Sequence, residues 1–298
     1  MSIGTAELGY TVAEAAAPPY RFAGETWRRF SRNRGAVVGL AIVLVYIGMA
    51  LFADLLAPYS PIDGQLADKL QPPTLAHPLG ADELGRDLLS RLLFGARSSL
   101  EIQLAAVVFA LVIGVAWGLM AGYFGGFVDD VSMRVCDVLL AFPSILLAIA
   151  IVAILGNGLV SIVLAVGAVS VPQFARLVRG VVLGIRETEY VEAARAVGES
   201  SVSILWRYVL PNATAPIIVQ TTLRMATVLL TAAGLNFLGL GVVPPTPEWG
   251  GMLSNAREYM FLSVHVTAIP GLAITLVVIG FNLLGDGLRD ALDPRMRT

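Results

Sequence analysis

The chain has 298 residues, of which 56% are hydrophobic and 14% charged, and its net charge is −2. A soluble domain carries about one quarter charged residues, so a water-soluble fold is excluded and an integral membrane protein is expected. A single cysteine, Cys136, rules out an internal disulfide, and two distant histidines, His77 and His265, argue against a metal site.

The first about 20 residues lack a basic start followed by an apolar core, so no cleavable signal peptide is visible and a disordered tail is expected. Within residues 1–34 the run RFAGETWRRFSRNRG sets Trp27 and Phe30 among arginines. That pattern predicts a short helix lying in the lipid interface, anchored by arginines that reach phosphates.

Six apolar runs are long enough, at about 20 residues, to cross a bilayer. They fall at roughly 35–56, 99–122, 134–155, 159–180, 213–241 and 264–285, which together make residues 35–298 one all-α, six-span domain. The third and fourth runs are separated only by Gly156-Asn157-Gly158, so a tight hairpin joins them. The spacing of Gly118 and Gly122 marks a close helix contact.

Between the first two runs, the loop 57–98 is rich in turn residues until Asp82, the expected N-cap of a helix carrying Leu84, Leu88, Leu89, Leu92 and Leu93 on one face. A second loop, 242–263, begins with the stiff Pro244, Pro245 and Pro247 and leads to Trp249. Either loop could brace the helix ends as a lid or present a docking surface. The docking candidates are Asp82, Arg86, Asp87, Glu248 and Trp249.

Arginines cluster in the N-terminal tail, after the second and fourth runs, and at the C-terminus as Arg289, Arg295 and Arg297. An excess of Lys and Arg on one side sets topology, so both termini and the segment 186–211 are expected in the cytoplasm.

That segment contains EAARAVGESSVSILWRYVLPN, residues 192–212. Thr188 can cap a helix with Tyr190, Ala193, Ala194 and Val197 at i, i+3, i+4 and i+7. Gly198 follows where a left-handed turn ends helices. A second short helix carries Val202, Leu205, Trp206 and Val209, and Pro211 is expected to stop it. The two apolar faces are small and flanked by glutamates, which suits a groove on another protein better than a membrane surface.

Arg224 is the one ionisable residue well inside a span. A mid-bilayer arginine costs about 2.5–3.5 kcal/mol, so it should face protein or water. It could attract a carboxylate along a translocation path, with Asn236 further along the same wall, or it could bond a neighbouring helix.

No stretch matches a phosphate-cradling GxxxxGK[ST] loop, and the only lysine, Lys69, lies in ADKLQ. No plausible Ser–His–Asp set exists either. The chain is expected to be non-catalytic, with no cofactor of its own and no nucleic-acid partner. A stand-alone secondary transporter would need a coupling-ion site and, usually, internal repeats, and neither is visible.

Glu192-Ala193-Ala194, Gly198, Ile204, Leu210 and Pro211 resemble the signature loop of permease subunits of bacterial ABC importers. HPLGADELGRDLLSRLLFGARSSL (77–100), NFLGLGVVPPTPEWGGML (236–253) and LLGDGLRDALDPR (283–295) resemble the C-type permease of dipeptide, oligopeptide, nickel and glutathione importers. Many members carry an acidic residue shortly before FLGLG, where this chain has TAAGLN. With Arg224 and FARLVRG, that departure looks nearest to glutathione-type members.

The resemblance implies a bacterial inner-membrane subunit that forms half of a pore with a second, related permease. It implies ATP and Mg bound by one or two types of partner ATPase, an external solute-binding protein, and membrane lipid around the whole. Glu192, Ala193, Ala194, Gly198, Leu210 and Pro211 would be the ATPase-coupling residues. A short peptide or glutathione-like peptide is the expected cargo, with nickel chelates as the alternative.

Overall fold

The computed structural model describes residues 19–292. The expected tail over residues 1–18, and Arg295 and Arg297, lie outside the described residues. The described chain is helical, with two isolated bridges, Gly64 to Arg86 and Ala81 to Asp87, as its extended pairing.

An amphipathic helix α1 (Pro19–Arg32) precedes the first span, α2 (Arg34–Leu51). Asn33 separates them and caps α2 by accepting the Ala36 N–H at 3.2 Å. In α1, Trp27 is exposed and stacks on the buried Phe30 with ring centroids 5.8 Å apart. A one-turn helix α3 (Ala53–Leu56) ends the first pass.

The second span, α4 (Leu88–Phe124), is longer than the apolar run that predicts it. Its N-cap is Asp87 rather than Asp82: the Asp87 carboxylate accepts the Ser90 N–H at 2.7 Å. Leu84 therefore precedes the helix instead of sharing its face. The expected third span is broken. Helices α5 (Gly126–Ala141) and α6 (Ser144–Leu155) meet at 93° across Phe142-Pro143. At 1.5 Å per residue α6 is about 18 Å long, too short for a core about 30 Å thick. Five helices are long and apolar enough to cross a membrane alone, and the bent pair is a sixth candidate.

Helix α7 (Leu159–Ile185) leaves the Gly156-Asn157-Gly158 turn and packs along α4. Three glycines of α4 make this contact. A Cβ on Gly114 would lie 2.5 Å from Phe174 Cβ, one on Gly118 2.5 Å from the Ala175 carbonyl oxygen, and one on Gly122 2.8 Å from Val182 Cβ. Without a hydrophobic drive between helices in lipid, such close backbone approach is what holds them. The same device joins α2 to the last span, α12 (Val264–Leu292), where a Cβ on Gly39 would lie 2.7 Å from the Gly280 carbonyl oxygen.

After α7 come the short helices α8 (Glu189–Ala196) and α9 (Ser201–Ile204), then the long apolar helix α10 (Leu210–Phe237) and the short helix α11 (Trp249–Ala256). The largest core groups Ile102, Val107, Val152, Ile162, Phe174 and Leu235 between α4, α6, α7 and α10. A second, around Trp249, Tyr46 and Phe281, joins α2, α4 and α12 near α11.

Candidate coupling segment and polar face

The segment between α7 and α10 is fixed by its own backbone chemistry. Thr188 occupies the N-cap of α8, yet its hydroxyl turns back to donate to the Ile185 carbonyl at 2.6 Å. The C-terminal end of α8 is closed by two reversed bonds, Glu199 N–H to the Ala194 carbonyl and Gly198 N–H to the Arg195 carbonyl. This is a Schellman closure, and it needs φ of +82° at Gly198, as the sequence predicts. Ser200 then caps α9 by accepting the Ser203 N–H.

Pro211 does not stop the second helix. The five residues Leu205–Val209 form a π turn, and Leu210 donates to the carbonyl of Leu205 five residues back. Proline lacks an N–H and its ring clashes with the carbonyl four residues earlier. A wider turn just before Pro211 relieves that clash, and the helix runs on from Ser201 to Phe237.

Two sides of the segment have different surroundings. Val191, Ala194, Ile204 and Val209 are buried against Tyr123, Val178, Val182 and Ile217. The Arg195 guanidinium lies 5.1 Å from the Tyr123 ring, and Arg186 donates to the Gly122 carbonyl at 3.0 Å. The opposite side exposes Val197 (80%), Trp206 (67%), Val202 (65%) and Tyr190 (43%). Glu192, Ala193 and Gly198 are exposed too, and Glu192 forms no ion pair among the described residues. Each of the two predicted apolar faces is thus divided: Ala194 and Val209 belong to the packed side. Ala194 gives room for the chain's own helix ends, not for an external surface. Leu210 is half-buried on the packed side and Pro211 is exposed.

Along α10, Gln220, Arg224, Thr227 and Thr231 recur at i, i+4, i+7 and i+11, one helical face. Arg224 is half-buried, and its Nε has no hydrogen-bond partner. The Oε1 atoms of Gln103 and Gln173 share that condition. Gln103 donates its amide to the Met225 carbonyl at 2.7 Å and so ties α4 to the middle of α10. Toward its N-terminal end the same side of α10 borders a groove of about 460 Å³ with Leu177 of α7 and Arg289 of α12. Asn236 is buried with both ends of its carboxamide engaged. It donates to the Ala232 carbonyl and accepts the Val242 N–H at 2.7 Å, bracing the turn after α10.

The residues named as docking candidates lie inside the fold. Asp82, Arg86, Asp87, Glu248 and Trp249 are each no more than 5% exposed. Asp82 receives Arg86 Nε at 2.7 Å and Arg91 Nε at 3.1 Å, and Glu83 pairs with Arg86 at 3.0 Å. Burial pushes the Glu83 carboxyl above its usual range, with neighbouring Asp82 adding to the rise. Asp87 joins His77 at 2.9 Å, and Trp249 donates its indole N–H to the Leu92 carbonyl. Glu248 caps α11 through the Gly251 N–H. These residues bind the loops 57–98 and 242–263 to α4: opposite charges pair around Asp82 and Asp87, and hydrogen bonds from Ser99 and Gly251 hold Glu248, which is what lets charged groups sit inside. Their sequence signal, charge in a loop, is equally that of an exposed surface.

Comparison with known proteins agrees with this architecture. Residues 114–298 match the family described as binding-protein-dependent transport system inner membrane component, and residues 21–73 match the N-terminal TM domain of oligopeptide transport permease C. The glutathione transport system permease protein GsiD of Pectobacterium atrosepticum is 48% identical over 275 residues, 92% of this chain and 91% of that one. The dipeptide transport system permease protein DppC of Alkalihalophilus pseudofirmus is 47% identical over 283 residues, 95% and 92% of the two chains. Among solved structures, an inward-facing form of the MetNI methionine ABC transporter superposes with a TM-score of 0.55 at 20% identity, over 68% of this chain and 96% of that one. That likeness speaks for the fold. Family match, near-half identity over nine-tenths of both chains, and a helical membrane architecture together make the chain a member of the binding-protein-dependent transport permeases, of the oligopeptide permease C type.

Proposed function

We propose that this chain is one permease half of an ATP-driven, binding-protein-dependent importer for short peptides or glutathione-like peptides in a bacterial inner membrane, with both termini in the cytoplasm. Its relatives' transport of glutathione and dipeptides supports the cargo class. The observation that carries the coupling role is the two-sided segment. Val191, Ala194, Ile204 and Val209 hold it to the span ends, while Trp206, Val202, Val197 and Tyr190 remain bare beside an unpaired Glu192. A compact apolar patch centred on a tryptophan is the kind of surface that docks in a groove of a partner. The partner would be an ATPase subunit, which binds ATP and Mg, because this chain carries no phosphate-cradling loop.

The polar face of α10 supports a translocation path. A half-buried arginine in a span, in line with Gln220, Thr227 and Thr231, is costly against lipid and suits a polar wall shared with a second permease. Arg224 would attract the carboxylate of a passing peptide.

The test is co-purification of the tagged chain from native membranes, followed by reconstitution with its partners. Recovery of a second permease and ATPase, with peptide uptake that requires ATP and a binding protein, is expected. Solute movement by this chain alone, without ATP, would overturn the reading.

A further inference from the structure

On the outer face, a cavity of about 160 Å³ opens between the turn after α10, helix α11 and the start of α4. That is room for on the order of five waters. Its lining includes Glu248, Arg86, Arg91, Asn157 and Ser254. The charges around it do not balance internally. Arg86 and Arg91 are matched by Asp82 and Glu83. Glu248, 2% exposed, has no ion-pair partner among the described residues.

Its two oxygens accept one hydrogen bond each, from Ser99 Oγ at 3.2 Å and Gly251 N–H at 2.9 Å. An ionised carboxylate has about four acceptor positions; with the Gly250 N–H also turned toward it, about one stays open. Burial without a cation pushes the Glu248 carboxyl above its usual range. A cation entering the cavity would restore its charge. On the other wall, Arg86 Nη1 and Arg91 Nη2 take no part in the pairs described above. One small cavity thus joins an uncompensated acid to two guanidinium edges.

We propose that this cavity is a peptide subsite at the outer mouth of the permease. The terminal ammonium of a short peptide pairs with Glu248, and the ligand's carboxylate turns toward Arg86 and Arg91. An ammonium offers donors and no acceptor, which suits the open acceptor position on Glu248. The inference rests on the peptide-import reading. It adds that the permease itself reads the end groups of its cargo.

The experiment measures direct binding to the assembled permease–ATPase complex in nanodiscs, with no binding protein present. The probes are glycylglycine, N-acetylglycylglycine and glycylglycine amide. Charge-assisted hydrogen bonds suggest that acetylation weakens binding about tenfold or more, and amidation should weaken it too. Glu248→Gln keeps an acceptor for the Gly251 N–H but removes the charge, so it should abolish the preference for the free amine. Equal affinity for free and acetylated dipeptide on the wild-type complex refutes the proposal, whether or not any variant folds. So does a preference that survives Glu248→Gln. ATP-dependent uptake is assayed separately on the same complex. Uptake without end-group preference sinks the subsite alone, whereas loss of ATP-dependent peptide uptake in the wild type sinks the importer reading.

Discussion

Adding one methyl group at Gly118 should loosen the α4–α7 contact, while the same change at Gly180 should not. A Cβ at 118 would lie 2.5 Å from the Ala175 carbonyl oxygen and 2.8 Å from Val178 Cβ. The obstructing oxygen belongs to the backbone, so no rotamer change relieves it and the helices must part. Overpacking of this kind costs about 1–3 kcal/mol. At Gly180, on α7, nothing lies within 4 Å of the added atom. Both substitutions gain helix propensity of about 1 kcal/mol. That term cancels in the comparison, and Gly118→Ala should be less stable than Gly180→Ala by about 1–3 kcal/mol. Cys136 supplies the assay: it is the one cysteine in the chain and is fully buried. Its reaction with a thiol dye during a thermal ramp in detergent reports unfolding. Equal midpoints for the two variants would show that the glycine ridge is not the contact that holds these spans.

Four further outcomes are expected. Trp206→Ala should weaken recovery of the ATPase by about 2 kcal/mol, the scale of an interface anchor, with membrane insertion unchanged in a fractionation assay. Gly198→Val forces a side chain into a left-handed turn at a cost of roughly 1 kcal/mol or more; uptake should fall while the purified chain keeps its helical circular dichroism. Arg224→Gln should lower uptake of a peptide with a free carboxylate more than that of its amide, and equal losses would argue for a packing role. For Glu83 the folded carboxyl titrates above its unfolded value, so the folded state holds its proton longer and stability falls as pH rises from the usual carboxylate range through that raised value. Glu83→Gln should flatten that slope in thermal melts taken across the acidic range.

Much of the fold was legible because span length and apolarity are imposed by the bilayer itself. Gly118 and Gly122 read correctly as a contact, and Gly198 as a left-handed turn, since each answers a local steric requirement. Other features depended on which of several local options the fold selects. Asp82 and Asp87 both precede an apolar run, and only the pairing of Asp82 with Arg86 and Arg91 leaves the cap to Asp87. A hydropathy window cannot see the 93° bend at Phe142-Pro143, although Pro143 inside the run was a sign of it. Pro211 reads locally as a stop, and a single wide turn annuls it. Buried charge in these loops looked like surface because a charged run reads the same whether solvated or, as here, neutralised within itself by Asp82, Glu83, Arg86 and Arg91.

The uninterrupted helix through Pro211 has a mechanical consequence. From Ser201 to Phe237 it is 37 residues, about 55 Å of rod at 1.5 Å per residue. Gln103 grips it at Met225, which divides it into an inner arm of about 36 Å and an outer arm of about 18 Å. With that grip as fulcrum, a sideways stroke at the inner end reappears at the outer turn with reversed direction and about half the amplitude. A rod geared in this way would open one side of the membrane as it closes the other. Spin labels at Ser203 and Leu238 should then move in opposite senses when nucleotide binds, with the larger displacement inside.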